Sequence, residues 1–222
     1  MAQLRTIFFD VGNTLLFPDL GRMLLPLHQR GVFPDENQWY SVERQTKQEF
    51  DQVGNDGRID HGFWQLFYSR LLKEFDIKDA DLHKKLVETV RISSNWRILR
   101  PGTRELLEQF GSNYELGVIS NADGKIADIL AVCGIADCFR TITDSGLVGH
   151  EKPHPAIFAA ALRSMQAAPN ESLYVGDIYS VDYAGSVNAG MQAILLDVSG
   201  AYRDKGLPRV ESLAELKSEL PL

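Results

Sequence analysis

Beyond residue 101 the chain alternates short apolar runs with stretches of helical spacing. Leu116–Ile119, Phe139–Thr143, Leu173–Val175 and Ala193–Leu196 read as strands. Gly102–Phe110, Lys125–Cys133, Pro155–Met165 and Ser180–Ala189 read as helices, the second and fourth stopped by Gly134 and Gly190. Near the N-terminus, Ile7-Phe8-Phe9 is a further buried strand, and it ends abruptly in Asp10. Strands this short and apolar, separated by helices, predict an α/β protein with a doubly wound parallel sheet.

Residues 17–97 break this rhythm. Strand signals fade, and Glu36–Asp51, Gly62–Phe75 and Asp81–Ile92 show amphipathic helical spacing. Gly54-Asn55-Asp56-Gly57 makes a turn between the first two. The pattern predicts a helical module over 17–97, inserted into a sheet domain of residues 1–16 and 98–222. Hinges are expected near Phe17-Pro18 and Trp96–Arg100.

Composition narrows the function classes. The 222 residues are 44% hydrophobic and 24% charged, as in ordinary globular proteins. Net charge is −7 and no Lys/Arg-rich stripe is present, which argues against nucleic acid as a partner. No apolar stretch reaches membrane-spanning length. Asp10 interrupts the first apolar run too early for a signal peptide. Cys133 and Cys138 form neither a CxxC pair nor part of a His/Cys cluster, so they read as small hydrophobes in a reducing compartment. A cytoplasmic enzyme with no obligate protein partner is expected.

Open α/β sheets bind ligands at the C-terminal ends of their strands. Asp10, Ser120-Asn121, Lys152 in its turn, and Gly176-Asp177 with Asp182 all stand at or after such ends. Each residue type has a task in phosphoryl transfer. Asp10 is a candidate nucleophile. Asp10 and Asp177, with Asp182 beside them, offer hard oxygen ligands for Mg²⁺. Lys152 is a compact positive charge for the nucleophile and a phosphate oxygen, and the Ser120 hydroxyl is a donor to the remaining oxygens. Taken singly, each is commonplace in loops and helix caps. The ordered set is not. His150 and His154 flank Lys152 but read as loop residues beside an oxygen-ligand site.

The chain resembles the haloacid dehalogenase-like (HAD) hydrolase superfamily, in the group with a helical cap inserted after the first motif. That motif, DxDxT, is matched by Asp10-Val11-Gly12-Asn13-Thr14 except at its third position. Ser120 matches the second motif and Lys152 the third, while Gly176, Asp177 and Asp182 match GDxxxxD in full. The resemblance implies a Rossmann-like core under an α-helical cap and a Mg²⁺ site made by Asp10, the Gly12 carbonyl and Asp177. It also implies hydrolysis of a small phosphorylated metabolite through an aspartyl-phosphate on Asp10. Thr14 and Asn121 are candidate substrate contacts from the core. Arg58 and His61 are candidates from the turn between the inserted helices.

Gly12 is the departure. Phosphatases and mutases of the family carry their general acid/base there, and Gly12 keeps only a backbone carbonyl. Losing such assistance typically costs ~10²–10⁴ in rate. Three readings follow. One is a phosphatase slow on poor leaving groups. Another is a binding or regulatory protein on the same fold. The last is a phosphonate-cleaving hydrolase, which needs a Schiff-base lysine in the cap, with Lys47 and Lys73 as the lysines on inserted helices.

Overall fold

A computed structural model describes residues 3–52 and 61–220. The central sheet has six parallel strands in the order β5-β4-β1-β6-β7-β8. They are β1 (Thr6–Phe9), β4 (Glu115–Ser120), β5 (Thr141–Asp144), β6 (Ser172–Gly176), β7 (Gln192–Leu196) and the short β8 (Arg209–Val210). β1 lies between β4 and β6, so the chain leaves it in the middle of the sheet and returns on either side. That arrangement opens a crevice at the tip of β1.

Strand alternation splits the core. Ile7 and Phe9, with Val118 and Val175, pack on one face against α6 (Thr103–Gly111), α7 (Ile126–Val132) and α11 (Leu213–Glu219). Phe8, Ile119 and Tyr174 point to the other face, against Ile157, Phe158, Leu162 and Met165 of α9 (Pro155–Met165). Both faces are apolar because both are covered by helices. A one-turn helix, α8 (Ser145–Val148), follows β5 directly.

Between β1 and β4 the chain forms a second apolar cluster. It is built by α1 (Leu20–Met23), α2 (Leu25–His28), α3 (Glu36–Phe50), α4 (His61–Glu74) and α5 (Ala80–Val90) around Met23, Leu27, Trp39, Phe63, Phe67 and Leu86. Local sequence starts these helices. Asp35 and Gln38 form a reciprocal capping box on α3, and Asp79 caps α5 through the Leu82 amide. Each such cap contributes about 1 kcal/mol. The helices connect to the sheet through two strands, β2 (Leu16–Pro18) and β3 (Trp96–Leu99), which pair antiparallel.

Three expectations change. Both expected hinge segments contain short paired strands, which too few residues signal in the sequence. The strand near Phe139 begins at Thr141, because Ala136–Cys138 makes a tight turn first. The helix expected over Ser180–Ala189 is a π-helical turn, Tyr179–Tyr183, followed by the short α10 (Ala184–Asn188). The Asp182 side chain accounts for this, since it turns back to the start of its own loop. The turn read at Gly54–Gly57 lies outside the described residues. No described helix is long and apolar enough to cross a membrane.

Candidate active site

β1 delivers Asp10 to the floor of the crevice, where the Asp10 amide donates to the Val175 carbonyl at 2.8 Å. Asn13 then turns the chain with a positive φ of 55°, a conformation asparagine adopts more readily than most residues. Lys152 is the hub of the site. Its buried ammonium reaches Asp10 Oδ1 at 2.6 Å, Asp182 Oδ1 at 2.7 Å and the Tyr174 hydroxyl at 2.8 Å. Three donors meet three partners, which fixes the nitrogen beside the candidate nucleophile. Asn121 holds the same lysine by its backbone, accepting from the Lys152 amide at 2.7 Å and donating to its carbonyl at 3.0 Å.

Asp182 organises the loop after β6. Its Oδ2 accepts the amides of Asp177 and Ile178 at 3.1 and 2.9 Å. Its carboxylate lies over Gly176, where an added Cβ would come within 2.5 Å of the Asp182 Cγ. Only glycine admits that approach, which explains the first residue of GDxxxxD in physical terms. Asp144, at the end of β5, anchors the loop after β4 by accepting the amides of Gly124 and Ile126, and caps α8 through the Gly146 amide.

Asp10, Asp177 and Asp182 are buried, and each offers an oxygen within 4.8 Å of the others. Burial pushes the Asp10 carboxyl up to about 6, with Lys152 pulling the other way. Burial raises Asp177 to about 8 against the opposing pull of Lys47. Lys47, from α3, is buried with its ammonium 2.8 Å from Asp177 Oδ2 and 2.6 Å from Glu43 Oε1. Burial disfavours that charge, but Asp177 and Glu43 outweigh it and hold the Lys47 pKa above the usual lysine value. The carboxylates of Asp10, Asp177, Asp182 and Glu43 thus face the ammoniums of Lys47 and Lys152, a formal excess of two negative charges. Hard oxygen donors with that excess suit a divalent cation such as Mg²⁺. Among the described residues this is the one such His/Cys/Asp/Glu group. His150 and His154 are not in it; they stack on each other at 4.2 Å.

A cavity of about 280 Å³ opens over these groups. Asp10, Gly12, Ser120, Asn121, Lys152, Asp177 and Asp182 line its floor, and Trp64, Val87, Val90 and Trp96 form apolar walls. Arg91 and Glu151 also border it. Thr14 is not on the cavity wall. It is buried, and its hydroxyl has no hydrogen-bond partner among the described residues. Arg58 lies outside the described residues, as does the side chain of His61, the first residue of α4.

Sequence alone does not single out Tyr174 or Trp96, and it reaches Lys47 only as one of two candidate lysines on inserted helices, not as a partner of Asp177. A tyrosine inside an otherwise apolar strand was the one local sign of the first. Lys47 looked like any helix-surface lysine, because its partner Asp177 is distant in the chain. Trp96 stands against Gly12: a Cβ there would lie 3.4 Å from its ring. The Trp96 ring is fixed by an Nε1 donation to the Val90 carbonyl at 2.8 Å and by edge contact with Trp64.

Residues 4–190 match the family model for haloacid dehalogenase-like hydrolases. The chain belongs to that family. The HAD chain is 26% identical to pyrimidine 5'-nucleotidase YjjG of Escherichia coli over 225 residues, covering 96% of each protein. It is 40% identical to glyceraldehyde 3-phosphate phosphatase of Methanothermobacter thermautotrophicus over 113 residues, 48% of this chain and 50% of that one. In three dimensions it superposes on YfnB of Bacillus subtilis, a crystal structure with magnesium bound, at a TM-score of 0.70 over the full length of both chains with 20% identity. The HAD fold is thereby established.

Proposed function

We propose that this HAD hydrolase is a Mg²⁺-dependent phosphatase acting on small phosphate monoesters through Asp10. The observation that carries the reading is the Lys152 ammonium, 2.6 Å from Asp10 at the tip of the central strand, with Asp177 beside it on the same cavity floor. The names of the relatives, a phosphatase and a 5'-nucleotidase, point the same way.

Asp10, the Gly12 carbonyl and Asp177 would hold the ion, and Asp182 would position them. Bound there, Mg²⁺ would offset the repulsion between carboxylate and phosphate. An Asp10 oxygen attacks phosphorus, the ester P–O bond breaks, and the leaving oxygen departs with the electron pair. Lys152 fixes the Asp10 carboxylate and keeps it ionised for attack. Ser120, at the end of β4, borders the same space and donates to a phosphate oxygen. Water then attacks the aspartyl-phosphate, releasing phosphate and restoring Asp10. With no carboxyl at residue 12, the leaving oxygen departs without a proton from that position. Phenolic oxygens tolerate this and alkoxides do not, so aryl phosphates turn over faster than alkyl phosphates. The apolar walls suit such a leaving group, and the volume, near the lower end of small-molecule pockets, favours a compact one.

The Schiff-base reading loses support. Lys47 is clamped as an ammonium between Glu43 and Asp177 and does not line the cavity, while Lys73 is exposed.

The test is phosphate release from a panel of aryl and alkyl phosphates, with Mg²⁺ and with chelator, for wild type and Asp10→Asn. Mg²⁺-dependent release that disappears in Asp10→Asn is expected. Failure to release phosphate from any ester, together with failure to trap a beryllium fluoride adduct on Asp10, would overturn the proposal.

A further inference from the structure

We propose that Lys47 couples the seating of the inserted helices to cation binding: its ammonium and a divalent cation draw on the same Asp177 carboxylate, and each weakens the other's hold. The inference rests on the reading of Asp10 and Asp177 as a divalent-cation site.

The seating of α3 is a set of polar contacts along one face. Glu43, Lys47 and Asp51 follow at four-residue intervals, so they stack on one side of the helix. Asp51 Oδ1 accepts the Ser180 amide at 3.1 Å, and Gln48 donates to the Ala201 carbonyl at 3.2 Å. Lys47 is the contact in this row that reaches the carboxylate cluster. It does not line the cavity, so it meets Asp177 from the α3 side while other Asp177 atoms face the cavity.

Two cations sharing one buried carboxylate lie a few ångströms apart, with little water between them to screen repulsion. The ammonium also occupies Oδ2, which removes that oxygen from the set a metal can use. Glu43 keeps the lysine charged and in place when the helix is seated. Linkage makes the effect reciprocal. Cation binding at Asp177 loosens the Lys47 contact, and with it the grip of α3 on the loop after β6.

Lys47→Met combined with Glu43→Gln removes the pair without leaving one buried charge alone. Calorimetric titration with Mn²⁺ should show the double variant binding at least tenfold more tightly than wild type. Equal or weaker binding by the double variant overturns the proposal and leaves the cation site standing. If neither protein binds Mn²⁺, the cation-site reading falls, and the proposal with it. A second measurement needs only the wild-type protein, so it decides even if the variant fails to fold. Saturating Mg²⁺ should accelerate amide hydrogen exchange across Glu36–Phe50 relative to chelator. Exchange there that is unchanged or slowed by Mg²⁺ overturns the proposal.

Discussion

The ring of Trp96 stands 3.4 Å from the position a Cβ on Gly12 would take, in ordinary van der Waals contact. The tryptophan therefore walls the space that a side chain at residue 12 would enter. A Cβ at residue 12 is sterically admitted, and the ring beside it limits where the carboxyl of Gly12→Asp can turn. Gly12→Asp should raise turnover of alkyl phosphates about tenfold. Adding Trp96→Leu should recover more of the ~10²–10⁴ that general acid catalysis supplies. Initial rates on matched aryl and alkyl esters check this. Alkyl rates that stay flat in both backgrounds would show that the missing carboxyl is not what limits the enzyme.

Tyr174 donates its hydroxyl proton toward the Ile119 carbonyl or Asp182 Oδ1, each at 3.1 Å, while accepting from Lys152. Tyr174→Phe leaves the buried ammonium one partner short, at a cost of roughly 1–3 kcal/mol. Denaturant unfolding should register that loss. Because Lys152 then holds Asp10 less firmly, kcat should fall about tenfold with KM nearly unchanged. A stability loss with kcat intact would assign Tyr174 to packing alone.

The raised carboxyls make metal-free stability depend on pH. Asp10 at about 6 and Asp177 at about 8 hold protons in the folded state that an unfolded chain has already released, since a free aspartate titrates near 3.8. The folded state then binds more protons than the unfolded one, so stability falls as pH rises from about 4 to about 8 and levels off above. In chelator, the melting temperature should drop between pH 5 and pH 8. Mg²⁺ should raise it more at pH 8 than at pH 5, because the ion then replaces the missing protons. A melting temperature that climbs over this range in chelator would contradict the assignment.

Trp64 borders the cavity and makes edge contacts with Phe63 and Trp96. Its contact with an organic leaving group is the same before and during reaction, so its loss should appear as uniform binding. Trp64→Leu should raise KM for aryl phosphates about fivefold with kcat within a factor of two. Steady-state kinetics on phenyl phosphate measures both.

Much of the core was legible because its signals are local. Ile7-Phe8-Phe9 running into Asp10 announces a buried strand with a functional tip, and Gly176-Asp177 repeats that grammar at β6. The resemblance to the HAD family followed from four motifs in order, three of them at strand tips and Lys152 in the turn before α9. What stayed hidden depends on contacts between segments far apart in sequence. Lys47 and Asp177 meet across the join of the two apolar clusters, and no periodicity in α3 announces it. Trp96 carries no sign that it packs on Gly12. The π-helical turn at Tyr179–Tyr183 arises from Asp182 reaching back to the Asp177 and Ile178 amides, which overrides the local helical spacing. Nor does the sequence show that Asn121, a candidate substrate contact on the cavity floor, also holds the Lys152 backbone through its side-chain amide.

The ribbon of β2 and β3 sets how the inserted helices are joined to the sheet. Two independent linkers would leave them several rotational degrees of freedom. Here the outgoing and returning chains are cross-braced, with Leu16 opposite Leu99 and Phe17 opposite Ile98. Arg100 adds a strut, its guanidinium 3.8 Å over the Phe17 ring and 2.9 Å from the Tyr40 hydroxyl on α3. The outgoing and returning crossings are thus one braced connection rather than two, and it carries Trp64 and Lys47 over the sheet together.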